Sequence, residues 1–339
     1  MGWLTARSCT RSIVLLVAIR CSLTCGGNST VSSPLLDRDK AVEAEGIDAG
    51  VAAHYGSFAK EQRALLAGEG FVDLSHRDVF RVTGPDRLDW LHSLTTQYLT
   101  GLAPNVWTDV LILTPQGRIE HAFSGVDDGE TFWAHTEPKG GEALVGWLDK
   151  MRFMSRVEVA LEPQRAVISR WKDGVLTWEI VEDLSKVDGE PAGLFAHEAL
   201  RIETHLPRFG FDTDDRTIPN EVGLLNSAVH LNKGCYRGQE TVARVHNIGR
   251  PPRRLVMLNI DGSTSYLPAH GAEVSYEGKV VGVGGSAARH HELGPIGLAL
   301  IKRNTPTDAT LLIDGVSAAQ DVVVDPDAGL HVKMNVGQA

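Results

Sequence analysis

At Arg250-Pro251-Pro252 the pattern of this 339-residue chain changes, and the change limits what each side can fold into. Upstream, apolar residues recur at helical spacing between alternating runs. Downstream the runs are short and divided by glycine and proline: Leu255 to Ile260, Glu273 to Tyr276, Val280 to Val283 and Ile296 to Ile301. Such spacing predicts a small antiparallel barrel.

The upstream part reads as strands and helices in one body. Ser32 to Gly56 is small, polar and acidic, which predicts an extended arm leading into a helix over Ser57 to Ala67, where the folded body is expected to begin. Phe71 to Leu74 and Asp78 to Val82 read as strands. Thr83-Gly84-Pro85 then opens a helix with proline in its first turn, and Leu88, Leu91 and Leu94 give that helix a buried face. A hairpin follows: Asp109 to Leu113, the turn Thr114-Pro115-Gln116-Gly117, and Arg118 to Phe123. Asp127-Asp128-Gly129 turns the chain before Thr131 to His135. Leu144, Val145, Leu148 and Met151 mark a second amphipathic helix, and Val157 to Leu161 alternates as a strand. The order implies an α+β fold, a mixed sheet with helices packed on it. The expected organisation is a tail over 1–34, a body over 35–250 and a barrel domain over 251–339.

With 43 acidic and 33 basic residues the formal charge is -10, which argues against a broad surface for nucleic acid. Cys9, Cys21 and Cys25 lie in the tail and only Cys235 in the body, so no disulfide can form within the body and a reducing compartment fits. Arg7 and Arg11 precede the apolar run Ile13 to Ile19, which is too short to span a bilayer, and Arg20 interrupts the region where cleavage would follow. The expectation is that residues 1 to about 30 are not part of the native protein, with a targeting sequence as the alternative.

The densest chemistry lies in Lys233-Gly234-Cys235-Tyr236-Arg237-Gly238-Gln239-Glu240, followed by Ala243-Arg244. A thiol flanked by Lys233 and Arg237, near a helix starting at about Gln239, has surroundings that favour the thiolate, able to bind a soft metal or attack an electrophile. Gly234 and Gly238 suggest a tight loop, and Glu240 and Arg244 an i,i+4 pair. Arg237, Arg244, Arg250, Arg253 and Arg254 crowd this region, either facing an anionic ligand such as a polyglutamate tail or forming a solvated surface. No Cys-His pair is adjacent in sequence, although His230 or His246 could approach in space. One cysteine cannot enclose an iron-sulfur cluster, so any cluster would be shared with a partner.

The run Lys233 to Glu240 with Ala243-Arg244 closely resembles the signature of the YgfZ family, folate-binding relatives of the glycine-cleavage T protein. Arg201-Ile202-Glu203, Thr217-Ile218-Pro219-Asn220-Glu221 and the hairpin Leu113-Thr114-Pro115-Gln116-Gly117-Arg118 follow the family's order, so the resemblance covers roughly residues 35 to 330. It implies a ring-like body around a tetrahydrofolate site, closed on one side by the barrel. Glu203 corresponds to the acid that holds the pterin ring, where a carboxylate can accept two parallel hydrogen bonds, and Arg201, Lys233 and Arg244 accompany it as cofactor contacts. Cys235 is implied as a functional thiol and a shared iron-sulfur ligand. T proteins carry an aspartate pair on the hairpin, where this chain has Arg118-Ile119-Glu120-His121. Glu120 is then either a substitute carboxylate or an ordinary strand residue.

Three functions compete. The first is a cytoplasmic, monomeric factor that uses folate and Cys235 to support assembly or repair of iron-sulfur client proteins, including enzymes that modify tRNA, without touching nucleic acid or membrane itself. The second is a folate-dependent aminomethyltransferase or demethylase. A thiol enzyme acting through Cys235 is the third.

Overall fold

The computed structural model describes residues 32–330 apart from 248, 264 and 265, so the expectations for the first 30 residues lie outside the described residues. The arm is folded, not extended. Ser33 Oγ accepts the Leu35 N–H at 3.1 Å and starts a 3-10 turn over Pro34–Asp37, after which β1 (Val42–Glu43) pairs antiparallel with β2 (Ala52–His54). Leu35, Val51, Ala52 and Ala53 are buried, so the body begins well before Ser57. The arm has few apolar residues and their partners are remote in sequence: Val51 shares a core with Leu74, Trp171 and Leu200.

Ser57 caps α1 (Phe58–Leu66) through its hydroxyl, and β3 (Gly70–Asp73) and β4 (Asp78–Thr83) follow. The next helix, α2 (Arg87–Leu94), begins after Asp86, so Pro85 precedes it instead of filling its first turn. Gly84 explains the offset. Its φ is +104° and a Cβ there would lie 2.1 Å from the Arg156 carbonyl oxygen, so this stretch is used to pass over the neighbouring backbone before the helix can start. Arg156 in turn holds the Asp86 carboxylate at 2.7 Å.

The hairpin forms as expected from β5 (Thr108–Leu113) and β6 (Ile119–Asp127), followed by β7 (Thr131–Thr136), α3 (Gly141–Lys150) and β8 (Glu158–Leu161). These strands make an antiparallel five-stranded sheet in the order β5-β6-β7-β4-β8. Leu91 of α2 and Leu144 and Leu148 of α3 pack on it with Phe80, Ile112 and Phe132. A second sheet, β10-β9-β3-β11, combines β9 (Ala166–Lys172), β10 (Val175–Val181) and β11 (Glu190–Ala192), the last parallel to β3. Besides the β1–β2 pair the body therefore has two larger sheets, of which only the four-stranded one is mixed.

Helix α4 (Leu194–Glu203) is buried along most of its length and α5 (Gln239–Asn247) follows the cysteine loop. The barrel closes as β12 (Arg253–Ile260), β15 (Gly294–Lys302), β14 (Lys279–His290), β13 (Glu273–Tyr276), β16 (Leu311–Ile313) and β17 (Val316–Val322). Val256, Leu258, Val274, Ala299, Ile301 and Leu311 fill it. The architecture is α+β with a C-terminal antiparallel barrel. Among the described residues no helix is long and apolar enough to cross a membrane.

An ionic network joins the arm, β7, α4 and the barrel. Buried Arg208 reaches Asp48 at 2.6 Å and Glu137 at 2.8 Å, while Arg201 reaches Glu198 at 2.6 Å and Asp212 at 3.0 Å. Asp212 also accepts the Ser286 N–H at 2.7 Å, tying the loop after α4 to β14. Burial alone would raise the Glu198 carboxyl, but Arg201 and Arg208 outweigh it and hold the group at about 2. A carboxylate lowered on folding stabilises the fold above its ordinary range and loses that contribution as pH falls through its folded value. Stability is therefore expected to fall between pH 4.5 and about 2, with Glu198 alone contributing on the order of 3 kcal/mol. Urea unfolding across this range should show a steep dependence that Glu198→Gln reduces. A flat wild-type profile would contradict the assignment.

Candidate functional site

In the cysteine loop Lys233 and Tyr236 turn inward. The Lys233 ammonium is buried and donates to the carbonyls of His92, Thr95 (2.5 Å) and Gln97 (3.0 Å). These lie at or just beyond the C-terminal end of α2, where helix carbonyls lack intrahelical partners and a cation is favoured. Burial pushes Lys233 down to about 8, which still leaves it mainly charged at neutral pH. Tyr236 is buried in the core shared by the body and the barrel. Arg237 donates to Glu120 Oε2 at 2.7 Å and so ties the loop to β6. Gln239 opens α5, its amide reaching the Lys233 carbonyl at 3.4 Å.

The two glycines differ. Gly238 has φ +81°, and a Cβ there would meet Thr114 O at 2.5 Å, so it is needed where α5 starts against the hairpin turn. Gly234 has open space around it. Cys235 is left exposed, and both cations that flank it in sequence are committed to other partners. No hydrogen bond joins it to His230, which lies beside Tyr98 with ring centroids 5.2 Å apart, or to His246 on α5. Among the described residues no three His, Cys, Asp or Glu side chains gather to hold a metal.

Four of the five arginines expected to form a basic patch are engaged within the protein. Arg237 pairs with Glu120, Arg250 with Asp327 at 3.3 Å, and Arg253 with Asp214 at 2.6 Å and Glu221 at 2.9 Å, while Arg254 is buried and donates to Gln320 and the Thr305 carbonyl. Arginines crowded in sequence point to different acids contributed by distant segments. Glu240 and Arg244 are both exposed, and no ion pair links them.

A cavity of about 480 Å³, within the usual range for a small-molecule site, opens between the β5–β6 hairpin, β7, the β9–β10 hairpin and the segment after α4. Arg201 lies on its wall with its guanidinium bound to Glu198, Asp212 and the Leu206 carbonyl. Glu203 ends α4 outside the lining, with Oε2 3.2 Å from His290 Nε2 in the barrel. Glu120 and His121 also lie outside it, His121 packing near Trp147 with ring centroids 6.4 Å apart.

Apart from Arg201, the polar groups that line the cavity were not singled out from sequence. Asp109 sits across from Ser124 in the hairpin register and accepts its hydroxyl at 2.5 Å. Surrounding protein raises this carboxyl and the Ser124 bond opposes the rise, while the residue itself is exposed at the cavity wall. A carboxylate leading the apolar run Val110 to Leu113 was the signal available. On β7, His135 is 1% exposed and lies between Trp178 and Trp107, with ring centroids 4.6 and 5.8 Å away. Burial, reinforced by Arg77 and His197, pushes its imidazole well below the usual value, so it is neutral. Both its ring nitrogens, Trp171 Nε1 and Arg77 Nε are buried without a protein partner. Nothing local marks Arg77, His135 or Trp171, which come from three separate strand or turn segments.

No family model matches the chain. Its sequence is similar to aminomethyltransferases: 26% identical over 356 residues to that of Thermotoga neapolitana, covering 87% of this chain and 96% of the relative. With the Bacillus subtilis aminomethyltransferase it is 25% identical over 342 residues, covering 83% and 93%. The solved structure of the glycine cleavage system aminomethyltransferase T from Bartonella henselae matches with a TM-score of 0.72 at 18% identity, over 85% of this chain and 94% of that one. The chain thus has the glycine-cleavage T-protein fold. In sequence it is aminomethyltransferase-like along most of its length.

Proposed function

We propose that this chain binds a reduced folate, tetrahydrofolate or a derivative, in the cavity, and acts as a YgfZ-like factor supporting assembly or repair of iron-sulfur proteins. The observation that carries the folate reading is the cavity itself: a site of suitable size with aromatic walls and buried hydrogen-bonding atoms that the protein leaves unpaired. His135, Trp171 and Arg77 would hold the group, which would supply nitrogens able to carry a one-carbon unit. The factor reading is supported by the hairpin, where Glu120 is engaged by Arg237, and by a loop whose inward-turned residues leave Cys235 facing solvent. Its clients would be iron-sulfur enzymes of a reducing, cytoplasmic compartment, those that modify tRNA included, and any cluster would be shared between Cys235 and a partner.

Asp109 favours a second reading, an aminomethyltransferase of the T-protein type, because it offers a raised carboxyl inside the cavity. Titration with tetrahydrofolate tests what both readings share, and absence of saturable binding would sink both. Cys235→Ser should keep folate affinity within about twofold and leave the melting temperature nearly unchanged, since exposed substitutions rarely disturb the fold. The same variant should fail to support iron-sulfur enzymes in cells lacking the wild-type gene. Full support by Cys235→Ser, together with aminomethyl transfer that Asp109→Asn abolishes, would decide for the enzyme.

A further inference from the structure

Arg152 to Ser155 turn the chain between α3 and β8, the Arg152 carbonyl accepting the Ser155 N–H at 2.8 Å. The turn is held from behind: the Met151 carbonyl accepts Trp90 Nε1 at 3.0 Å, and Asp86 holds Arg156 at 2.7 Å. At its tip Phe153 is 86% exposed and Met154 96% exposed. Phe153 also has φ +45°, and the other eight non-glycine residues described with positive φ are lysines, asparagines, aspartates, a histidine and a glutamate. Such a position favours glycine or asparagine, and a ring this exposed gains little from packing. Neither the backbone nor the core calls for an aromatic side chain here, which leaves a contact outside the chain as its use.

Charge indicates what the tip meets. From Trp147 to Arg156 the chain carries Lys150, Arg152 and Arg156 against the single acid Asp149, in a protein whose formal charge is -10. The pairs Arg152–Asp149 and Arg156–Asp86 lie at the surface, where such bonds are weak and both guanidiniums can turn to another carboxylate. Trp147, one turn before Met151, lies under the Arg237 guanidinium, 5.9 Å from its ring centroid, and Arg237 is two positions from exposed Cys235. Helix α3 thus leads from the cysteine loop to the tip, roughly 9 Å for six residues at helical rise, so one partner of ordinary interface size covers both. We propose that Phe153 and Met154 anchor a protein-docking surface and seat in an apolar pocket rimmed by carboxylates on the partner. This rests on the factor reading above, under which the docked protein is the one that Cys235 serves.

The test sets stability against function. Phe153→Asn combined with Met154→Ser should raise the melting temperature by about 1–2 °C, because the left-handed position is relieved, and yet fail to support iron-sulfur enzymes in cells lacking the wild-type gene. In a second arm Met154 is replaced by the photocrosslinker p-benzoylphenylalanine and the cells are illuminated. The crosslinked peptide should come from another protein and carry carboxylates beside apolar residues, and Phe153→Asn, or Lys150→Glu with Arg152→Glu, should each reduce the product by about tenfold. No product, a product that ignores both sets of substitutions, or one formed only with a second copy of this chain would overturn the assignment. So would sedimentation of wild type, but not of Phe153→Asn, with phosphatidylglycerol vesicles, since the tip would then meet lipid. Cys235→Ser is the control: if it abolishes support while the Phe153→Asn, Met154→Ser protein gives full support, only the docking surface fails. Full support by Cys235→Ser fails the factor reading instead, and crosslinking alone then decides the surface.

Discussion

Replacing Arg208 with methionine is expected to destabilise the protein by about 3–5 kcal/mol, the cost of breaking a buried ion pair by removing one partner. The guanidinium is committed on two sides, to both oxygens of Asp48 at 2.6 and 3.0 Å and to Glu137 at 2.8 Å. Methionine would leave Asp48 with only His76, 3.1 Å away, and Glu137 with only Arg77, 2.9 Å away. Arg208→Lys should recover only part of the loss, because a single ammonium cannot reproduce a planar fork directed at two carboxylates. Removing a stranded charge should help: Arg208→Met combined with Asp48→Asn is expected to be more stable than Arg208→Met alone. Equilibrium urea unfolding at neutral pH measures the series, and the difference should change little with salt because the pairs are buried. A loss below about 1 kcal/mol for Arg208→Met would place these ions among interactions of surface strength. Since Arg208 also lines the cavity, folate affinity should fall in any Arg208→Met protein that stays folded.

Where a segment's partners are close in sequence, its structure was legible. The β5–β6 hairpin follows from Thr114-Pro115-Gln116-Gly117, and Gly117 takes the left-handed φ of +78° that its place in the turn demands. Helix α3 follows from Leu144 and Leu148, both buried. The arm was misread because its order depends on Asp48 meeting Arg208, a bond across 160 positions that no local pattern contains. The barrel was recognised from its longer strands, while β16, three residues long, and β17, whose middle is Ala318-Ala319-Gln320, gave no comparable signal. The site divides in the same way. The motif drew attention to the cysteine loop because its residues are contiguous, and there the structure brings Arg237 to Glu120 and Lys233 to the end of α2. The cavity has no contiguous signature, since Arg77, Asp109, His135 and Trp171 meet only after both sheets have formed.

Gly238→Ala is expected to cost about 2–4 kcal/mol, and Gly234→Ala no more than about 0.5 kcal/mol, although both glycines belong to one short motif. At Gly238 two penalties combine. The backbone is left-handed, and the new Cβ would meet Thr114 O at 2.5 Å and Gly117 Cα at 2.9 Å. Those are backbone atoms of a tight turn and cannot move aside as a flexible side chain would. Gly117 meets the same interface from the other side, a Cβ on it lying 2.6 Å from Thr241 Cβ. Relief therefore requires the hairpin turn and the start of α5 to separate, which would strain the Arg237 bond to Glu120 and shift the loop that exposes Cys235. Thermal unfolding of the two variants side by side measures the stability difference, and timed alkylation of Cys235 followed by mass measurement reads the loop. Gly238→Ala should change the alkylation rate while Gly234→Ala leaves it near wild type. A larger loss from Gly234→Ala would mean that the motif's glycines answer to something other than the contact between α5 and the hairpin.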